Sequence, residues 1–425
     1  MKVLVSGAGI GGLAAARALT ADGHQVTVFE RAPGLRQGGA AVTLWSNGTG
    51  VLADLGVSLA GSAPASDRGP AASDGRAGAL IEALETRDHH GKLLVSVDVG
   101  QAAAHYGHPH VCLPRSRLLG LLAEGLPAGT VVFGRASAAA AETAAGVRLT
   151  FADGGSADGN LLVVADGRGS ALRDQLWGGD PGRLTGWATW QGLSRLPGAI
   201  ASSRSSVLFV GRPGTCGLMP AGDGLLQWWF DLRWAPGAPP PAKPVTLLRQ
   251  QFGGWAPPVR AVLDAITDEE TGFFPHYRHR VPRTWGRGPV TVIGDAAHSM
   301  PPTRAQGANQ ALEDAWALAA ALRHAASRDA DGVASGDADG AVSRDADDAD
   351  GAADGKAAAE AALRAFERSR SKKAGLVSRQ AGTEDYNRYG AVLSRLVPGP
   401  LATRYYTRWL RQVSSYLDTA ARPAQ

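Results

Sequence analysis

The stretch that decides the fold is Lys2-Val-Leu-Val-Ser-Gly7-Ala-Gly9-Ile-Gly-Gly12-Leu13, followed by an alanine-rich run to Asp22-Gly23 and then by His24 to Glu30. Lys2–Val5 is apolar and reads as a short strand. Leu13–Asp22 reads as a helix ended by Gly23, and His24–Glu30 as a second strand. Gly7, Gly9 and Gly12 stand between strand and helix. Gly7 permits a tight turn, Gly9 lets the backbone approach a pyrophosphate, and Gly12 allows close packing of helix on strand. The helix N-terminus meets an anion with free N–H groups and a positive dipole end. Glu30 closes the second strand 18 residues beyond Gly12. A carboxylate there accepts hydrogen bonds from ribose hydroxyls and repels a 2′-phosphate. Glycine spacing alone means little in a chain with 56 glycines. Strand, spacing and acid together point to a β-turn-α-β dinucleotide unit.

Two later stretches repeat the pattern of an acid and a glycine behind an apolar strand. The first is Ala165-Asp166-Gly167-Arg168-Gly169-Ser170, after Leu161–Val164. Taken singly, Asp-Gly is a turn signal. The second is Gly294-Asp295-Ala-Ala-His298-Ser-Met-Pro301-Pro302, after Val290–Ile293, and it runs through Gln306-Gly307-Ala308-Asn309 to Glu313-Asp314. Its prolines are stiff and lack N–H donors. The N–H groups near Gly307–Asn309 open a helix and could face an electron-rich group. His298 by itself reads as a packed core histidine.

The 425 residues suffice for two or three domains. With 44% apolar and 19% charged residues the chain is globular rather than fibrous or wholly disordered. Cys112 and Cys216 make neither a disulfide framework nor a metal-ligand spacing, so no metal is expected. No run approaches the ~20 apolar residues of a membrane span, and the expected location is cytoplasmic. The net charge of +4 comes from arginine, 37 residues against 6 lysines. Ser327–Gly355 holds nine Asp and two Arg in repeats such as Ser-Arg-Asp-Ala-Asp. It lacks apolar periodicity and reads as a flexible acidic surface insertion. Alternating Asp before Gly hints at calcium, but no Glu is present to close such a site. The body of the protein is therefore more basic than the total suggests. Nucleotide cofactors account for that charge without nucleic acid.

The three acid-glycine motifs, in this order and spacing, resemble those of the class A flavoprotein monooxygenases, the p-hydroxybenzoate hydroxylase-like family. The likeness covers residues 1 to about 323. It implies an α/β fold: a Rossmann-like FAD-binding domain with an inserted antiparallel β-sheet domain for the substrate and a C-terminal helical tail. The expected segments are 1–177 and 276–326 for the FAD-binding domain and 178–275 for the substrate sheet. The acidic insertion at 327–355 and helices over 356–425 complete the chain. The resemblance further implies one FAD, with NADPH or NADH as a transient reductant. Gly7, Gly9 and Gly12 would contact the pyrophosphate region and Glu30 the adenosine ribose, with Arg31 helping to hold the adenosine end. Arg115 would lie near flavin and pyrophosphate, and Asp295 along the ribityl-pyrophosphate stretch. Pro302, Gly307, Ala308 and Asn309 would border the isoalloxazine. Asp166 would support FAD and the visiting nicotinamide. No second strand-linked Gly-x-Gly-x-x-Gly is present, which disfavours enzymes with two dinucleotide domains.

The implied reaction is hydroxylation of an aromatic or polyketide-like molecule by O₂ through a flavin C4a-hydroperoxide. Epoxidation, N-hydroxylation and a non-catalytic flavin protein are the alternatives. A halogenase would need a lysine in the first ~100 residues, within the FAD-binding fold; only Lys2 and Lys92 lie there, neither in a suitable motif. The chain departs from the family pattern in having Ala305 where glycine is common and Arg304 where a small residue is common. It also has Gln191 in Trp190-Gln191-Gly192 where many members have arginine, which removes a positive charge from the expected pocket. In the tryptophan-rich sheet, alternation places Trp187, Thr189 and Gln191 on one face, and Gln227 and Trp229 oppose Trp228. One face is expected over the flavin, and the sequence does not choose it. His108, His110, His276 and Asp231 are candidate bases by residue type only, so the catalytic residues and oligomeric state stay open.

Overall fold

The computed structural model describes residues 1–59, 77–196, 198–334 and 344–420. Its first layer is a five-stranded parallel sheet in the order Val290–Val292, Leu161–Val164, Lys2–Ser6, Gln25–Glu30, Val131–Phe133. The central strands are buried along nearly their whole length, as expected of a parallel sheet covered on both faces. Helix Ile10–Ala21 packs on helix Gly307–Ala334. The small side chains of Ala14, Ala15, Ala16 and Ala18 are all buried and let these elements approach closely. The first and second strands run in parallel register, Ser6 beside Phe29. Gly7 N–H then donates to Phe29 O at 2.8 Å, pinning the glycine turn over the sheet edge.

The second layer is a seven-stranded sheet in the order Gly272–His279, Gly182–Arg195, Leu225–Arg233, Gly214–Gly222, Ser205–Val210, Ala83–Asp88, Leu93–Asp98. It draws its strands from both sides of the 178–275 segment: two come from 83–98, and its first strand continues past residue 275. All neighbours are antiparallel except Ser205–Val210 and Ala83–Asp88, which run parallel. One face carries Ala188, Trp190, Trp228, Phe230 and Cys216. It packs on helices Pro244–Phe252 and Pro257–Ala265 as a core separate from that of the first layer. The prolines at 244 and 257 read from sequence as chain breaks. Each instead opens a helix, where its fixed φ and missing N–H cost nothing.

The acidic segment also differs from expectation. Helix Gly307–Ala334 runs into it and helix Arg344–Ala381 begins inside it, while 335–343 lies outside the described residues. Its frequent alanines have the highest helix propensity, and that wins over a composition without an apolar face. The tail forms helices Asp385–Leu396, Gly399–Val413 and Tyr416–Ala420. Asp385–Leu396 lies on the seven-stranded sheet, and Gly399–Val413 covers strand Leu93–Asp98.

Candidate functional site

The C-terminal edge of the parallel sheet gathers the three motifs. Gly7 has φ +101°, and a Cβ there would lie 2.5 Å from Ala165 O, so the glycine turn sits directly on the Ala165-Asp166 turn. A Cβ on Gly12 would lie 2.0 Å from Gly7 O, so only glycine lets the helix start against the turn. Gly9 differs from both. Its φ is −77°, open to any residue, and a Cβ there would meet nothing within 4 Å. It N-caps helix Ile10–Ala21 with no side-chain bond to the first turn, so the first N–H groups of the helix have no capping side chain. Glycine at this position answers no internal demand, and it fits a close approach by a bound anionic group.

Glu30 accepts from Ala8 N–H at 2.8 Å through Oε2 and from Ala32 N–H at 2.9 Å through Oε1. These bonds aim the carboxylate beside the turn and leave further lone pairs. Asp166 is mostly buried, and its Oδ1 has no partner. Burial raises its pKa, against the pull of Ser170 and the charges of Arg173 and Arg31. An orphaned carboxylate oxygen costs free energy until a donor reaches it, which fits a ligand rich in hydroxyl or N–H groups. Asp295 is exposed, at the start of the short helix Asp295–His298. A Cβ on Gly307 would come within 3.9 Å of its Oδ1, so the late Gly-Asp motif and the helix start at Gly307 share one space. Arg31 and Arg115 are exposed.

Pro302–Arg304 forms a single 3₁₀ turn ended by Ala305 at φ +47°, ψ +38°. The position where glycine is common thus has a left-handed backbone, and alanine is strained there. The turn is braced by the C-terminal helices: Thr303 Oγ1 donates to Ala381 O at 3.1 Å, and Arg304 stacks on Tyr386 and pairs with Asp385 at 3.5 Å. Asn309 is fully buried, and its side chain serves the chain itself. Its Oδ1 accepts from Trp45 N–H, and its Nδ2 donates to Thr43 O and Ala305 O. Of the Gly307–Asn309 group, only the backbone at the helix start is left for a ligand.

Behind Gly294-Asp295 lies a buried ionic cluster. Asp314 Oδ2 accepts from Gly294 N–H at 2.9 Å and lies 2.6 Å from His298 Nε2. Arg370 bridges Asp314 at 2.8 Å and Glu313 at 2.7 Å, with all three side chains fully buried. Burial opposes the charge on Asp314, but His298 and Arg370 hold its pKa below the usual range. Burial likewise opposes the charge on Arg370, but Glu313 and Asp314 raise its pKa. Sequence reasoning missed Arg370. It lies in Ser-Arg-Ser-Lys-Lys, whose polarity reads as a solvated helix face.

The structure also chooses the sheet face. Met219, beside Gln227 in register, has its sulfur 3.2 Å from Thr43 Oγ1, and Thr43 O is bonded to Asn309. The face bearing Thr189, Gln191, Gln227, Trp229 and Asp231 therefore looks toward the first layer. Gln191, Gln227 and Trp229 are only partly buried there, so solvent reaches between the two layers beside them. Thr189 and Asp231 on the same face are buried under the C-terminal helices. Thr189 Oγ1 donates to Asp231 Oδ1 at 2.5 Å and lies 2.6 Å from His276 Nε2. His276 Nδ1 lies 2.8 Å from Glu384, which holds φ +55°. Burial lowers the pKa of His276, but its bonds and charges with Asp231 and Glu384 raise it to about 9. Glu384 was not found from sequence; nothing near it signals burial. Trp187 is not brought there. It lines a separate groove with Arg168, Trp234 and Pro275, and Arg233 stacks on it. His110 is buried against Ser46, and burial lowers its pKa to about 3.

A glycine cradle, an orphaned acid and an exposed acid thus converge beside a sheet face that solvent reaches. The sequence family described as FAD binding domain matches residues 1–333. The chain belongs to the class A FAD-dependent aromatic hydroxylase family. This flavoprotein is 32% identical over 326 residues to a FAD-dependent urate hydroxylase of Klebsiella pneumoniae, covering 76% of this chain and 82% of the relative. It is 35% identical over 334 residues to 3-amino-4-hydroxybenzoate 2-monooxygenase PtnB3 of Streptomyces platensis, covering 75% and 78%. Its fold matches the crystal structure of Klebsiella pneumoniae HpxO complexed with FAD and uric acid, with a TM-score of 0.74 and 27% identity over 99% of this chain and 96% of that one. The flavoprotein is a FAD-dependent monooxygenase of small aromatic or heterocyclic molecules. Among the described residues, no helix is long and apolar enough to cross a membrane.

Proposed function

We propose that the chain hydroxylates a planar aromatic or heteroaromatic molecule, consuming NADPH or NADH and O₂. The observation that carries this reading is that Gln191, Gln227 and Trp229 stay partly accessible to solvent on the sheet face that turns toward Thr43 and, through Asn309, Ala305. When bound, the flavin supplies the redox and oxygen chemistry. The protein's part is to bind, orient and exclude water. Gly9 and the helix start at Ile10 receive the pyrophosphate, Glu30 the adenosine ribose, and Arg31 the adenosine end. Asp166 and Asp295 accept hydroxyls or N–H groups of the cofactor. The backbone at Gly307–Ala308 and the stiff Pro302 turn hold the plane of the flavin ring. Trp229 gives the substrate an apolar surface that keeps water from the reacting atoms.

The test is NAD(P)H consumption by the FAD-loaded protein, with and without added aromatics such as urate and aminohydroxybenzoates. Substrate-stimulated consumption with an oxygenated product is the expected result. A yellow protein whose flavin neither nicotinamide reduces would overturn the reading.

A further inference from the structure

We propose that the Gln191–Gln227 amide pair selects a neutral, planar substrate bearing an N–H or O–H donor and rejects carboxylate analogues. This deepens the monooxygenase reading and rests on it.

Gln191 and Gln227 lie diagonally on neighbouring strands, where Gln191 pairs in register with Trp229 and Leu193 with Gln227. Gln227 Nε2 donates to Gln191 Oε1 at 3.4 Å, at the long limit of a hydrogen bond. Gln227 Oε1 is buried and has no partner. A buried acceptor in this state costs free energy, which a ligand donor would offset after a small turn of the amide. Beside the pair, the Trp229 ring lies across Gly217, where a Cβ would come 1.9 Å from Cζ2. The ring is thus laid along the sheet as a flat platform for a planar molecule.

Positive charge on the same face lies at its two ends, where Arg233 stacks on Trp187 and Arg195 donates to Asp223 O. Thr189, Gln191, Gln227, Trp229 and Thr215 carry none. Two residues along the strand from Trp229, about 7 Å away, the carboxylate of Asp231 flanks the single imidazole of His276, whose other side meets Glu384 from the start of helix Asp385–Leu396. The nearby cation Arg304 is engaged by Asp385 and Tyr386. A carboxylate between the layers there would lose its water, find no adjacent cation and face a net negative cluster. A neutral donor keeps its hydrogen bond at Gln227. Discrimination by an unpaired polar group of this kind reaches 10-fold or more.

The test uses matched pairs on the FAD-loaded protein: 4-hydroxybenzamide against 4-hydroxybenzoate, and 6-hydroxy-2-naphthamide against 6-hydroxy-2-naphthoate. Binding is read from the change in flavin absorbance. FAD retention and anaerobic reduction by NADPH or NADH are measured first. If those fail, the monooxygenase reading falls; if they hold, the titrations judge this inference alone. The amide of at least one pair should bind about 10-fold tighter than its carboxylate, and Gln191→Arg should reverse that order. Gln227→Leu should weaken the amide and leave the carboxylate unchanged. Equal or tighter binding of the carboxylates, no saturable binding by any of the four, or an unchanged order in Gln191→Arg would overturn it.

Discussion

Gly9 and Gly12 separate what the fold needs from what a cofactor needs. In Gly12→Ala, the new methyl would sit 2.0 Å from Gly7 O, a backbone atom that cannot swing away. The helix must move off the sheet edge, and overpacking of this sort costs roughly 1–3 kcal/mol or more. In Gly9→Ala, the methyl meets no protein atom within 4 Å, and φ −77° suits alanine. The apoprotein should be unchanged or stabilised by about 0.4–1 kcal/mol through a less flexible unfolded chain. The same methyl occupies the space assigned to the pyrophosphate. FAD should bind about 10- to 100-fold more weakly, which is ~1.4–2.8 kcal/mol. The assay is urea unfolding of the apoproteins alongside FAD titration by flavin fluorescence. Gly9→Ala should lose affinity without losing stability, and Gly12→Ala should lose both. Wild-type FAD affinity in a folded Gly9→Ala would refute the placement of the pyrophosphate.

Other consequences follow from the same geometry. Ala305→Gly should raise stability by roughly 0.5–1 kcal/mol, because relief of the left-handed strain at φ +47° exceeds glycine's entropy cost; the urea midpoint reads this, and a fall would contradict the strain. Arg370→Met leaves Glu313 and Asp314 buried with only His298 opposite, so it should cost about 3–5 kcal/mol and lower FAD loading through Gly294. The pKa of His276 is raised from 6.5 to about 9, so its stabilising contribution is complete below pH 6.5 and is lost as pH rises through about 9. His276→Gln should flatten that alkaline loss in thermal melts across this window. On the acid side, burial lowers His110 to about 3 and burial with Arg173 lowers His279 to about 4. Stability should therefore also fall as pH drops below 6.5 toward 4, and His279→Asn should reduce that slope.

The glycine turn and its acid were legible because their demands are local. Gly7 and Gly12 are fixed by contacts within one turn, and Glu30 by the end of one strand. The Ala305 departure was visible as a missing glycine, and the backbone angle gives its physical meaning. The substrate half depends on long-range packing that spacing does not encode. Alternation put Gln191 and Trp229 each on a face, but only the Met219–Thr43–Asn309 contacts say which face looks at the first layer. Arg370 and Glu384 come from the tail, and their role exists only once those helices close over the sheet. Asn309 shows the converse: it stands in a cofactor motif, and its side chain is engaged by Trp45, Thr43 and Ala305 of the fold.

The proposed activity turns on oxygen transfer from O₂ to an aromatic ring. It is tested most directly by turning over the FAD-loaded protein with NAD(P)H, an accepted aromatic and ¹⁸O₂, then weighing the product. One ¹⁸O atom per product molecule, with about one nicotinamide oxidised for each, is the expected result. A product carrying oxygen from water, or nicotinamide oxidation that yields only H₂O₂ with every aromatic that binds, would contradict it.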